Sequence, residues 1–107
     1  MVHAITSTAE FNELINSGKK VIVDYHATWC GPCKVIAPKY ETLSKENEDI
    51  TFVKVDVDEL GEVSANAGVR AMPTFQTYHN GKKIGEVLGA DLNKLKALVA
   101  EVKEIAA

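Results

Sequence analysis

The 107-residue chain is poor in cysteine, proline and aromatic residues: it has two, three and 7%, respectively. Two cysteines separated by two residues cannot staple a secreted scaffold, which needs more of them spread along the chain. Positive charge is not in excess either: 12 Lys and Arg against 15 Asp and Glu leave a net charge of -3. Neutralising phosphates needs a basic face, so nucleic acid is not an expected partner. No apolar run approaches the roughly 18 residues of a membrane span, so a membrane is not expected either. Met1 to Thr6 show no basic stretch leading into a long apolar core, so a secretory leader is absent or precedes this numbering. Repeats, low-complexity tracts and Pro/Gly/Ser-rich linkers are also missing, and residues 1–107 read as a single domain. The 46% hydrophobic and 25% charged content is that of a globular protein and excludes a disordered one.

What is present is an alternation of strands and helices. Val21 to Ala27 and Thr51 to Val57 are rich in β-branched residues and apolar on both faces, as strands in the middle of a sheet are. Thr74 to His79, then Asn80-Gly81, then Lys82 to Leu88 predict a β-hairpin, because both turn positions need positive φ. A weaker strand is expected at Val2 to Ile5. Ser7-Thr8-Ala9-Glu10 fits a capping box, with Phe11, Leu14 and Ile15 following at helical spacing to about Gly18. A second helix is predicted from the cysteines to about Asn47 with Pro38 inside it, and a short third one from Glu59 to Ala67. The last starts at Asp91, a good N-cap, with Leu92, Leu95, Leu98, Val99, Val102 and Ile105 on one stripe. Strand-helix-strand units pair in parallel, whereas the hairpin adds antiparallel strands. The expected class is therefore α/β, a mixed sheet with helices on both faces.

The chemical centre is Ala27-Thr28-Trp29-Cys30-Gly31-Pro32-Cys33-Lys34, where a buried strand hands over to a helix. Cys30 at the helix start meets unpaired N–H groups and the positive end of the dipole. These stabilise an anion and lower the thiol pKa, and only the thiolate is a nucleophile. Pro32 suits the first helical turn. Cys33 lies one turn on, within reach of the Cys30 sulfur, and can displace a mixed disulfide formed there. A purely structural bridge is a weak alternative, since closing so short a loop yields only roughly 2 kcal/mol. A zinc site lacks a second cysteine pair, and His3, His26 and His79 lack the spacing of a ligand pair. No metal is expected. Haem attachment needs His after the second cysteine, where Lys34 stands. Dithiol redox chemistry fits best.

Asp24 interrupts an apolar strand six residues before Cys30. Desolvated there, a carboxylate has its pKa raised and can exchange a proton with a thiol near neutral pH. It is otherwise a partly exposed or hydrogen-bonded side chain with no catalytic part. His26 shares its face by the two-residue period, as a packed neutral imidazole or a titrating neighbour of the cysteines. Lys54 either snorkels to solvent or lies near Asp24. Pro73 opens the hairpin strand beside Met72, and its peptide bond is trans unless context selects cis.

With Val23-Asp24-Tyr25, Trp29 to Lys34, Ala71-Met72-Pro73-Thr74, Asn80-Gly81-Lys82 and Gly89 in place, the chain resembles the thioredoxin family over essentially its whole length. Ala27-Thr28 and Asp56 to Glu59 resemble its small cytosolic eukaryotic members, of fungal type. The resemblance implies the thioredoxin fold, a central mixed five-stranded sheet flanked by four helices. It implies a cytoplasmic, monomeric protein-disulfide reductase in which Cys30 attacks and Cys33 resolves. Asp24 then serves the proton transfer at Cys33, with Lys54, Gly31, Pro32 and a cis Pro73 in support. Trp29, Met72, Pro73, Gly89 and Ala90, with Gly31 and Pro32, form the face where substrate docks. The redox-active disulfide is the only redox group carried. Thioredoxin reductase recycles it with NADPH, and the substrates are oxidised proteins such as peroxiredoxins and reductases with active-site disulfides. The competing readings are an oxidase or isomerase of the same fold, or a binding module using the apolar face around Trp29. One departure stands out: the position after Tyr25 is usually a large aromatic residue in the family and here is His26. That substitution is expected to perturb titration near the cysteines.

Overall fold

A computed structural model describes residues 1–105. The elements follow in the order β1 (His3–Ala4), α1 (Thr8–Ile15), β2 (Val21–His26), α2 (Gly31–Glu46), β3 (Thr51–Asp56), α3 (Gly61–Asn66), β4 (Thr74–His79), β5 (Lys82–Leu88) and α4 (Leu92–Lys103). The strands form one sheet in the order β1-β3-β2-β4-β5. β1 and β2 run parallel to β3, whereas β4 lies antiparallel to both β2 and β5.

Strand alternation sorts the core into two layers. Ile22, Phe52 and Phe75 point to one face and pack with Ile36, Tyr40 and Leu43 of α2 and Leu95, Leu98, Val99 and Val102 of α4. Val21, Val23, Tyr25, Val53 and Val55 point to the other and meet Phe11 of α1 and Val63 of α3. Asp24, two residues from Ile22, therefore faces the layer covered by α2. Tyr40 ties that helix to the sheet: its ring lies 5.2 Å from Phe52 and 5.4 Å from Phe75 between centroids. Its hydroxyl sits 3.0 Å from the Ile22 carbonyl and 2.8 Å from the Val53 carbonyl.

Element ends differ from the sequence expectation where caps and pairing decide. β1 is two residues long because only His3 and Ala4 find register partners on β3. α3 starts two residues late, at Gly61, because the Asp56 carboxylate accepts from the Asp58 and Glu59 N–H groups and holds that stretch as a turn. Ser7 caps α1 by accepting from the Glu10 N–H, as a capping box requires. The return bond from Glu10 goes instead to the Thr6 N–H at 2.7 Å, and the same carboxylate meets His3 at 2.7 Å. α2 runs through Pro38, and Asp91 caps α4 by accepting from the Lys94 N–H.

The hairpin turn has Asn80 at φ 54° and Gly81 at φ 81°, the left-handed pair that Asn-Gly favours. Gly81 also donates its N–H to the Ile15 carbonyl at 2.7 Å, so the turn lies against the end of α1. A Cβ there would run into the Asn16 carboxamide, which is itself bonded to Asn12. Gly81→Ala is expected to lose about 2–3 kcal/mol of stability, from left-handed strain plus the displaced side chain. Chemical denaturation reads this directly, and a variant indistinguishable from the parent would refute the close approach.

Candidate active site

β2 delivers Asp24 and His26 to its C-terminal end, and the chain reaches α2 through Ala27, Thr28 and Trp29. Cys30 is the N-cap of α2, extended at φ -88° and ψ 108°, and its Sγ accepts the Cys33 N–H at 3.1 Å. The anion-stabilising donor expected at a helix start is thus aimed at this sulfur. Gly31 and Pro32 occupy the exposed first turn, where proline's missing N–H costs nothing. Cys30 and Cys33 are joined as a disulfide across 5.3 Å between Cα atoms. Each sulfur-bearing residue is only 4% exposed, packed with Ala27, Val57 and Met72.

Asp24 lies beneath this bridge. It is buried, its Oδ1 has no hydrogen-bond partner among the described residues, and burial raises its pKa from 3.8 to about 7. The Lys54 ammonium, its register partner on β3, pulls the other way but is itself exposed to solvent and offsets only part of the desolvation. Asp24, Cys33, His26, Lys34 and Lys54 all line one cleft of about 390 Å³. His26 is half-buried, and burial pushes its imidazole pKa down. Its register partner Asp56 and Glu59 oppose that shift, while Lys54 adds to it.

On the other side of the bridge, the Met72–Pro73 peptide bond is cis. Met72 is half-buried against the cysteines and Pro73 is buried. The Gly89 N–H donates to the Pro73 carbonyl at 2.8 Å, which ties the end of β5 to this corner. Gly89 sits at φ 87° with no atom within 4 Å of a would-be Cβ, so the position demands the backbone conformation and not the space. Ala90 follows at the surface. Trp29 is 66% exposed, yet its indole Nε1 donates to Asp58 Oδ2 at 3.0 Å, which fixes a large apolar ring in the open beside the cysteines.

Asp58 and Val57 were not singled out from the sequence as site residues. Both follow β3, more than twenty positions from the side chains they touch, and nothing local marks the contact. His3 and His79 lie at strand ends, as expected, away from this cleft. Among the described residues no group of three or more His, Cys, Asp or Glu side chains is placed to hold a metal ion, and no helix is long and apolar enough to cross a membrane.

The thioredoxin family model matches residues 2–104. Thioredoxin-1 of Schizosaccharomyces pombe is 52% identical over 99 residues, covering 92% of this chain and 96% of that protein. A structure of Plasmodium falciparum thioredoxin is 47% identical with a TM-score of 0.91, covering 94% of this chain and 98% of that one. A chain in a structure on the thiol-resolving mechanism of yeast mitochondrial 1-Cys peroxiredoxin, via glutathione/thioredoxin systems, is 36% identical. Its TM-score is 0.89, with 94% of each chain covered.

Proposed function

The chain belongs to the thioredoxin family and is a protein-disulfide reductase, and from that premise we propose how its residues divide the work. The observation that carries the assignment is the Cys33 N–H aimed at Cys30 Sγ. The same donor stabilises a thiolate once the bridge is reduced, which makes Cys30 the attacking sulfur. Its electron pair forms a bond to one sulfur of the substrate disulfide, and the other leaves as a thiolate. Cys33, whose thiol proton passes to the Asp24 carboxylate, then attacks Cys30 Sγ, closes the Cys30–Cys33 bridge and expels the second substrate thiolate. Two electrons have moved from the dithiol to the substrate.

Trp29, Met72, Pro73, Gly89 and Ala90 form the docking face. The exposed indole, the apolar Met72 beside the bridge and the Gly89–Pro73 bond support that reading. Gly31 and Pro32 keep the first turn of α2 low and open, and Lys54 holds the ionised form of Asp24. Oxidised proteins are the substrates. The likeness to a chain studied with a peroxiredoxin favours that class among them, and thioredoxin reductase with NADPH restores the dithiol. The protein works as a single domain, residues 1–107, monomeric and cytoplasmic.

An oxidase or isomerase would use the same sulfurs in the opposite direction, so the poise of the pair decides. Thioredoxins lie near about -270 mV and the oxidising relatives at roughly -180 to -120 mV. Equilibrating the protein in buffers of graded dithiol and disulfide is expected to place the Cys30/Cys33 couple at or below about -250 mV. A value in the oxidising range overturns the direction proposed here. Failure to reform the bridge overturns the redox assignment of these two residues.

A further inference from the structure

The division of labour above leaves a proton on a buried carboxyl that must lose it before the next cycle. Asp24 is buried, and its Oδ1 meets no hydrogen-bond partner among the described residues. The opening beside it is the cleft it shares with Cys33, and His26 stands on that cleft's wall, half-exposed. Residues two apart on a strand face the same way, so Asp24 and His26 both line this cleft, and water entering it can link the two side chains. Lys34 and Lys54, also on the wall, are ammonium groups: they attract a carboxylate but have no lone pair with which to accept a proton. An imidazole takes a proton on one ring nitrogen and releases one from the other.

We propose that His26 carries the proton between Asp24 and solvent during resolution of the mixed disulfide, an inference that rests on the reductase reading. The Cys33 S–H bond breaks and its proton joins the Asp24 carboxylate, while the sulfur electron pair forms the bond to Cys30 Sγ. The bond from Cys30 to the substrate sulfur breaks, and that sulfur leaves with its electron pair. The Asp24 proton then passes, through water in the cleft, to neutral His26, which releases its other ring proton to bulk solvent. Asp24 returns to the carboxylate.

The charged groups around His26 suit a carrier and not a trap. Burial and Lys54 on β3 lower its pKa, while Asp56 on β3 and Glu59 after it limit the fall. Asp24 on its own strand and Lys34 on α2 complete the set around the cleft. With Asp24 raised to about 7 and His26 held below its ordinary value, a proton reaching the imidazole moves on to water and does not stay.

The test is repeated-turnover reduction of insulin at neutral pH in dilute buffer, with and without added imidazole. A small dithiol in excess restores the Cys30–Cys33 pair, so that Asp24 must shed its proton before each new cycle, and the rate is read above that of the small dithiol alone. His26→Phe is expected to be slower by about fivefold, less than the 10²–10⁴-fold of a whole general base because Asp24 remains in place. Imidazole should restore the variant and leave the parent unchanged. His26→Gln, polar and of similar size, provides the same comparison if the phenylalanine variant does not fold. Parental rates in dilute buffer, or a loss that imidazole does not relieve, would overturn the proposal. A parent that fails to reduce insulin would instead overturn the reductase reading on which it rests.

Discussion

Cys33→Ser should attack protein disulfides and then stall, so the variant accumulates as a covalent adduct of its substrates through Cys30. The helix N-terminus still presents the residue-33 N–H to Cys30 Sγ, a backbone contact that the substitution does not remove. The first step therefore survives. A serine hydroxyl in place of the thiol cannot displace the mixed disulfide, because it is not ionised near neutral pH and forms no S–S bond. Cys30→Ser loses the first step itself and should form no adduct. Both variants lack a dithiol, so neither can turn over: the expected loss is complete, not a fraction. Mass spectrometry of each variant mixed with an oxidised protein separates the roles. Adducts on Cys30→Ser but not on Cys33→Ser would reverse the assignment. Turnover by either would remove these residues from the chemistry. A binding module using Trp29 and Met72 would keep its function in both variants, so the same pair of proteins also distinguishes that class.

The parts legible in the sequence are those fixed by short-range rules. Asn80-Gly81 marks its own turn, Ser7 and Asp91 mark their helices, and Cys30-Gly31-Pro32-Cys33 combines a cap, a first-turn proline and a resolving thiol within one turn. Asp24 was visible as a carboxylate inside an apolar strand, and its shared face with His26 followed from the period of two. What escaped depended on residues far apart in the chain. The two-residue β1 reflects pairing with β3, a strand some fifty positions on, at His3 and Ala4 only. The Trp29–Asp58 bond joins positions 29 apart, and the Gly81–Asn16 approach joins a hairpin to a helix end. Tyr40 reads as one more apolar position of α2, but its hydroxyl bridges two strands because α2 happens to cross there. No local pattern encodes such a crossing. The cis bond at Pro73 was legible only through the family resemblance, since the dipeptide alone favours trans.

Asp24→Asn should make the protein more stable and less active, with both effects dependent on pH. In the folded state the carboxyl titrates at about 7, against 3.8 when unburied. Between those values the native protein holds a proton that the unfolded chain has released, so stability falls as pH rises through this window and is lowest above 7. The gap corresponds to about 4 kcal/mol, at 1.36 kcal/mol per pH unit. Asparagine is a neutral stand-in for the protonated acid and carries none of this dependence. Parent and variant should therefore match near pH 3, diverge from about pH 4 to 7, and differ by about 4 kcal/mol beyond that. Parallel denaturation curves across the range would show that the carboxyl is not desolvated in solution. The activity moves in the opposite sense. An amide cannot take the Cys33 proton, and loss of a general base costs on the order of 10² or more in rate. The deficit should be largest near neutral pH and shrink as pH approaches about 8.5, where a free thiol ionises unaided. A variant more stable in alkali yet equally active at neutral pH would keep Asp24 buried and ionisable but remove it from proton transfer. The combination of gained stability and lost rate is what identifies a carboxylate kept in an apolar layer at a thermodynamic cost because the resolving step uses it.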